Sequence, residues 1–441
     1  MIDNLVDNIE WLESQIKRKQ PIEKIGRVVQ VTGLIIESLG PDAALGDICE
    51  IHSSRGDAVL SAEVVGFRDN HILLMALGNM SNLHPGCRVF ATNQHQHVPI
   101  GQGLVGRIID GMGRPLDNKG PLRAEWADDL YRDAPNPLKR KKINQTFTTG
   151  VRVIDTFVPL GCGQRMGIFA GSGVGKSTLL GMMARGAESE INVIALVGER
   201  GRELREFLEN DLGEEGLARS VVVVATSDQS APLRLRAAAL ATRISEYFRD
   251  VEGKKVLLMM DSVTRLAMAQ REIGLAVGEP PASRGYTPSV FSLLSKLLER
   301  TGMGEHGSIT ALYTVLVEGD DLNEPISDAV RGILDGHIAL SRELATSNHF
   351  PAVDVLESVS RLTRALLSEQ EMAAISSARD SMATYRRNQD LISIGAYAPN
   401  TNPKIDQAIS RHDRLNAFLR QPYEELDSRD ASFAKLGEVL R

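Results

Sequence analysis

Short β-type runs open the chain, longer unbroken apolar runs occupy its middle, and helical spacing takes over toward its end. Between residues 25 and 95, "GRVVQVTGLIIESLG", "GDICEIHS", "AVLSAEVVGF", "HILLMAL" and "CRVFAT" are separated by Gly, Pro, Asp and Asn. That pattern predicts five or six strands closed into a small β-barrel. From about 150 to 345, "RMGIFA", "NVIALVG", "SVVVVAT", "KVLLMMD" and "SITALYTVL" alternate with helical segments. Strands this apolar on both sides belong to a mainly parallel sheet covered by helices on both faces. The remainder, from about 365, is helical with one Gly/Pro/Asn break at "GAYAPNTNP". Ahead of the first strand, Leu5, Ile9, Leu12 and Ile16 form one apolar stripe on a short helix. A helix of that length is marginal alone, so it packs on its own chain or docks on a partner. The expected organisation is a multidomain α/β protein: helix 1–24, barrel 25–95, α/β domain 96–364 and helical domain 365–441.

Composition narrows the function. The 441 residues carry a net charge of -7, which gives no global field for nucleic acid or an acidic membrane. The barrel segment holds four Arg, no Lys and seven acids, with Phe67 and Phe90 its two aromatics. A single-stranded nucleic-acid groove needs basic charge and stacking platforms, so a structural or subunit-contact barrel is expected and no nucleic-acid partner. Three cysteines in no metal-ligand spacing suit a reducing cytoplasm. The start of the chain lacks the basic-then-apolar order of a secretory leader. No run approaches the roughly 18 apolar residues of a membrane span, so a cytoplasmic protein with peripheral membrane contact is expected. In the connector 133–145, Lys139 to Lys142 read as a solvated basic run. His95 and His97 share a strand face without a third ligand, and surface histidines are expected.

The candidate chemistry begins at "FAGSGVGKSTLLGMMARG". An apolar strand, a Gly-rich loop and a helix follow one another, the context in which a phosphate-loop match is credible. Gly171, Ser172, Gly173, Val174, Gly175, Lys176, Ser177 and Thr178 form the nucleotide-binding run, with Ala170 where the strict motif has Gly. Its glycines let backbone N–H groups converge on phosphate oxygens, and the helix adds its positive end. Lys176 supplies charge at the β/γ-phosphates, and the Ser177 hydroxyl is placed for Mg²⁺. Asp261 closes the apolar strand "KKVLLMMDS". Such an Asp is ordinarily a cap or turn residue, but after a phosphate loop it is a metal-side carboxylate. Glu199, ending "NVIALVGE", is the candidate for orienting the attacking water.

Taken together, "GQRMGIFAGSGVGKST", "ALVGERGREL", "LLMMDSVTRLAMAQREI", "GEPPASRGYTPSVFSLLSKLLERTG" and "FPAVDVLESVSR" resemble the catalytic subunits of the F-type and V-type ATP synthase superfamily. The likeness covers about residues 25 to 441 and is greatest to the export branch, the ATPases of flagellar and injectisome type III secretion, with the flagellar side favoured. It implies a β-barrel, a RecA-like nucleotide domain and a helical C-terminal domain, assembled as a ring of usually six copies with ATP at the subunit boundaries. It also implies that Glu199 activates water, that Arg200 lies near the γ-phosphate and that Arg361 of "ESVSR" reaches into a neighbour's site. Phe350 of "FPAVD" and Tyr423 of "RQPYEE" match positions that sandwich the adenine, with core packing the competing account of Phe350.

The resemblance also separates the alternatives. A rotary synthase subunit carries an acidic run where this chain has "DLISIGAYAPNTNPKIDQAI". A Rho-like RNA translocase is opposed by the acidic, aromatic-poor barrel, and a non-hydrolysing subunit by the retention of Lys176, Glu199, Asp261 and Arg361. The implied partners are further copies of the chain, a central stalk, export-gate membrane proteins and chaperone–substrate complexes, at the inner membrane face. The N-terminal helix resembles the segment held by a peripheral stalk or regulator.

Overall fold

The structure, a computed structural model, describes residues 25–52, 59–92, 98–127, 130–317 and 324–441. The N-terminal helix, His95 and His97 lie outside the described residues. Two compact units separate: residues 25–92 with Ala276–Gly278, and the remainder.

The first unit is a closed six-stranded barrel, as the β-type runs predict. Its strands are β1 (Ile25–Thr32), β2 (Ile35–Leu39), β3 (Ile48–His52), β4 (Val59–Arg68), β5 (His71–Ala76) and β6 (Arg88–Ala91), in the order β1-β2-β5-β4-β3-β6. Cys49 and Ile51 of β3 point inward between half-buried neighbours, the period-two pattern of a strand with one dry face. They meet Val28, Ile36, Val64, Leu74 and Val89 in the barrel core. Asp69 and Asn70 turn β4 into β5 with positive φ at both positions, the two-residue hairpin geometry matched to strand twist.

The second unit is built on a sheet of β7 (Ile108–Asp110), β8 (Arg165–Ala170), β9 (Ile191–Val197), β10 (Ser220–Ala225), β11 (Lys255–Asp261), β12 (Ser308–Leu316), β13 (Gly336–Leu340) and β14 (Val353–Ser360). Their order is β14-β13-β8-β12-β11-β9-β10-β7, with Gly302–Met303 paired to the side of β12. All neighbours run parallel except β14 on β13 and the short Gly302–Met303 pairing on β12. Every residue of β9 and β10 is buried, and alternate residues serve opposite faces. Val193, Ala195 and Val197 join one core, while Ile194 and Leu196 join the other. This two-sided burial explains the unbroken apolar runs in the sequence. Helices α1 (Arg152–Phe157), α2 (Lys176–Gly186), α3 (Gly201–Glu206), α4 (Ala231–Asp250), α5 (Val263–Val277) and α6 (Pro288–Glu299) accompany these strands.

Three helices end the chain: α7 (Glu369–Ser393), α8 (Pro403–Leu419) and α9 (Arg429–Leu440). A capping box starts α7, with the Ser368 hydroxyl accepting from the Glu371 N–H and the Glu371 carboxylate accepting from the Ser368 N–H. The "GAYAPNTNP" break is the turn between α7 and α8, where the Tyr397 hydroxyl meets Asp406 at 3.1 Å. One expectation needs correction. The basic connector is not wholly solvated, because the Arg140 guanidinium donates to the carbonyls of Thr301 (3.2 Å) and Glu299 (2.5 Å) at the end of α6.

Candidate active site

Parallel register decides where the candidate residues meet. Leu196 of β9 pairs with Asp261 of β11, and Ala170 of β8 with Leu316 of β12. The phosphate loop, Glu199 and Asp261 therefore all leave the sheet at the carboxyl ends of its strands, where open α/β sheets place their ligands. A cleft of about 910 Å³ lies there. Its lining includes the loop from Gly171 to Thr178 apart from Val174, together with Glu199, Arg200, Asp261 and Arg265. Val174 instead turns its side chain into the core and is 2% exposed.

The loop has the conformation that phosphate binding demands. Gly173 and Gly175 have φ of 77° and 89°, a region that side chains with a Cβ avoid. Gly175 caps α2 through its backbone alone, with no side-chain hydrogen bond at that end. The first N–H groups of the helix are thus left to a ligand.

Three charged groups converge below the loop. The Lys176 ammonium lies 2.5 Å from Asp261 Oδ1 and 3.6 Å from Glu199 Oε1. The same Asp261 oxygen accepts from the Thr314 hydroxyl at 2.6 Å, which fixes the carboxylate against β12. Burial works against the charge on Lys176, but Asp261 and Glu199 outweigh it and hold its pKa above the usual lysine range. Burial pushes the Glu199 carboxyl up to about 7; Lys176 opposes the rise and Asp261 adds to it. A carboxyl poised near neutrality suits proton transfer from water at working pH. Arg200 is exposed and pairs with Glu203 at 3.3 Å.

The remaining sequence candidates stand elsewhere. Phe350 is 42% exposed, so it is not a core residue, and its ring lies 3.4 Å from where a Cβ on Gly175 would stand. Tyr423 is also exposed, with the Arg185 guanidinium 5.9 Å from its ring centroid. Arg361 is not in this cleft. Because β14 is antiparallel, with Ser360 opposite Gly336 at the start of β13, Arg361 emerges at the far end of the sheet. There it is exposed, and its guanidinium donates to the Arg331 carbonyl at 3.1 Å.

Sequence reasoning missed Arg265 and Thr314. Arg265 sits on the first turn of α5, lines the cleft, and has a buried Nε–H without a hydrogen-bond partner. A buried, unmet cationic donor is costly unless an anion arrives. Its position four residues after Asp261 was the available signal. Thr314 lies inside an apolar strand and gave none.

Known proteins match this arrangement over most of its length. The ATP synthase alpha/beta family nucleotide-binding domain matches residues 150–360, and that family's beta-barrel domain matches 28–93. The T3SS EscN ATPase C-terminal domain matches 367–438. The flagellum-specific ATP synthase of Bacillus subtilis is 52% identical over 98% of this chain and 97% of its own length. The chain belongs to the ATP synthase alpha/beta family. Within it, the type 3 secretion system ATPase of Xanthomonas euvesicatoria is 47% identical over 97% of each chain. The solved structure of assembled EscN from enteropathogenic E. coli superposes with a TM-score of 0.89 at 43% identity, covering 94% of this chain and all of that one. This family member is an ATP-hydrolysing enzyme, and its barrel, parallel sheet and terminal helices are those of EscN.

Proposed function

We propose that this ATPase energises the export of flagellar proteins through a type III secretion apparatus, as a ring of six copies with a hydrolytic site at each subunit boundary. The observation that carries the ring is the division of labour on the sheet. Lys176, Glu199 and Asp261 meet at one end, while Arg361 stands exposed at the other. A chain so arranged holds one part of a site and offers the missing cation to a neighbour. The relatives described as flagellum-specific, and the structure of EscN with its central stalk EscO, support the export reading. An injectisome ATPase is the second reading, supported by the Xanthomonas relative.

In this reading the loop N–H groups and Lys176 bind the β- and γ-phosphates, and Lys176 exchanges its Asp261 partner for phosphate oxygens. The Ser177 hydroxyl and Asp261 carboxylate are hard oxygen donors, a fit to Mg²⁺, which takes one or two protein ligands beside substrate phosphates. Among the described residues no cluster of three or more His, Cys, Asp or Glu forms a dedicated metal cage, and a phosphate-borne ion needs none. When bound, Mg²⁺ neutralises charge on the β- and γ-oxygens. Glu199 orients the attacking water and accepts its proton, Arg200 and Arg265 meet the γ-phosphate, and Phe350 and Tyr423 flank the base.

Further partners follow the same family logic: a peripheral stalk on the 1–24 segment, a central stalk, the export-gate membrane proteins and chaperone–substrate complexes. Nucleic acid has no part. None of the helices among the described residues is long and apolar enough to cross a membrane, and the family logic puts the ring at the inner membrane face.

Two measurements test this reading. Specific ATPase activity rises with protein concentration in step with assembly measured by light scattering or sedimentation. A specific activity independent of concentration in a chain that stays monomeric would remove the boundary site. The second concerns pH. The profile of kcat/KM reports the free enzyme, and Glu199 accepts a proton only as the carboxylate. Its acid limb therefore rises through about pH 7 and levels above it. A limb centred near the ordinary glutamate range would exclude the buried carboxyl as the base.

A further inference from the structure

We propose that Gln421 is a positioning residue for the nucleotide base, setting the separation of the two aromatic side chains that receive it. The inference rests on the reading of Phe350 and Tyr423 as the base pocket. These rings come from segments far apart in the chain, and neither is packed into the core. Something must hold them at a fixed spacing, since a flat base between loose side chains gains little over its ordering cost.

Gln421 makes that connection directly. It is 3% exposed and stands two residues before Tyr423. Its backbone N–H donates to the Phe350 carbonyl at 3.0 Å. Its side-chain oxygen accepts from the Arg152 N–H at 2.8 Å, and its amide nitrogen donates to the carbonyls of Gly150 (2.9 Å) and Glu425 (2.7 Å). Both amide donors and the amide oxygen are thereby engaged, leaving the side chain a single orientation. One residue thus ties the backbone beneath the Phe350 ring to the loop that carries the Tyr423 ring.

Arg152 closes the clasp. Buried at the start of α1, it donates to the carbonyls of Phe418 (2.9 Å) and Arg420 (3.2 Å) on one side of Tyr423. On the other side it pairs with Glu425 (2.6 Å) and Asp427 (2.5 Å). The Leu426 side chain packs where a Cβ on Gly186 would stand only 2.7 Å away, so the loop seats against the end of α2. Arg185 of α2 donates to the Tyr423 carbonyl at 2.8 Å. The loop 420–428 between α8 and α9 is therefore held on both flanks with its exposed aromatic in the middle. A loop needed only to join two helices has no use for this many polar anchors on the two sides of one exposed ring.

The test separates base from phosphates. Gln421→Leu keeps the bulk and removes the amide, and its affinities are measured by calorimetry for ATP and for inorganic tripolyphosphate, each with Mg²⁺. The Kd for ATP rises about tenfold, as expected for losing buried hydrogen bonds that order the pocket, and tripolyphosphate binding moves much less. KM for ATP rises in step, with a smaller change in kcat. Equal losses for both ligands, or an unchanged ATP affinity, overturn the inference. Should Gln421→Leu fail to fold, Asp427→Asn loosens the same loop through Arg152 while keeping its shape. It carries the same selective loss of ATP affinity, and equal effects on both ligands again overturn the proposal. Phe350→Ala and Tyr423→Ala run in parallel. If neither weakens ATP relative to tripolyphosphate, the base-pocket reading itself falls; if they do and Gln421→Leu does not, only the positioning role falls.

Discussion

Glu199→Gln abolishes turnover while ATP still binds. The side chain is 15% exposed and lies 3.6 Å from the Lys176 ammonium at the end of β9. Glutamine preserves its shape and can still hydrogen-bond a water, but it cannot take the proton that water must lose. General-base catalysis is worth roughly 10²–10⁴ in rate, so steady-state hydrolysis falls by about that factor. Binding survives because the loop N–H groups and Lys176 carry the phosphate affinity, and Lys176 keeps the Asp261 carboxylate at 2.5 Å when Glu199 loses its charge. Removing a negative charge beside the polyanion also relieves repulsion, so the Kd for ATP stays equal or falls slightly. Phosphate release and calorimetry on the same preparation check both halves. Turnover within about tenfold of the parent, on the same scale, would exclude Glu199 as the base. Joint loss of binding and turnover would make it a structural partner of Lys176.

The local parts of this site were legible because they are written over consecutive residues. Strand, glycine loop and helix from Arg165 to Gly186 need no distant information, and "DN" between two apolar runs announces the turn at Asp69 and Asn70. The face each strand residue serves was also legible as a class, since a run apolar at every position must be covered twice. Register was not. Leu196 standing opposite Asp261 is what brings Glu199 and Asp261 to one ammonium, and no spacing along the chain encodes it. Long-range polar contacts were equally hidden. Arg140 sits in a basic run that composition assigns to solvent, yet its acceptors are carbonyls some 160 residues later. Gln421 resembles any glutamine after a helix until its partners at Gly150 and Arg152 are known. Val174 shows the converse: the motif places it in the loop, but its side chain belongs to the core.

Arg361→Ala removes hydrolysis as thoroughly as a change in the phosphate loop, although Arg361 is remote from its own chain's cleft. The antiparallel edge strand delivers it to the opposite end of the sheet from Lys176. Its guanidinium is exposed, with the Arg331 carbonyl as a neutral partner at 3.1 Å, and among the described residues no ion pair must break before it meets a phosphate. A cation supplied to the transferring phosphoryl in trans is worth roughly 10³–10⁵ in rate, and the loss is expected on that scale. What distinguishes this residue from any other essential arginine is complementation. Lys176→Ala chains lack the phosphate-loop charge but retain Arg361, while Arg361→Ala chains retain Lys176. Each is inactive alone. In a mixed ring, every boundary where the Lys176 of one chain faces the Arg361 of the other is complete. Co-assembling the two inactive variants therefore restores part of the ATPase activity, most near equal proportions, whereas mixing Lys176→Ala with Glu199→Gln restores none because both lesions lie on the same half of the site. Arg361 acting within its own subunit predicts no recovery in either mixture, so the first mixture decides whether the hydrolytic site is shared between chains.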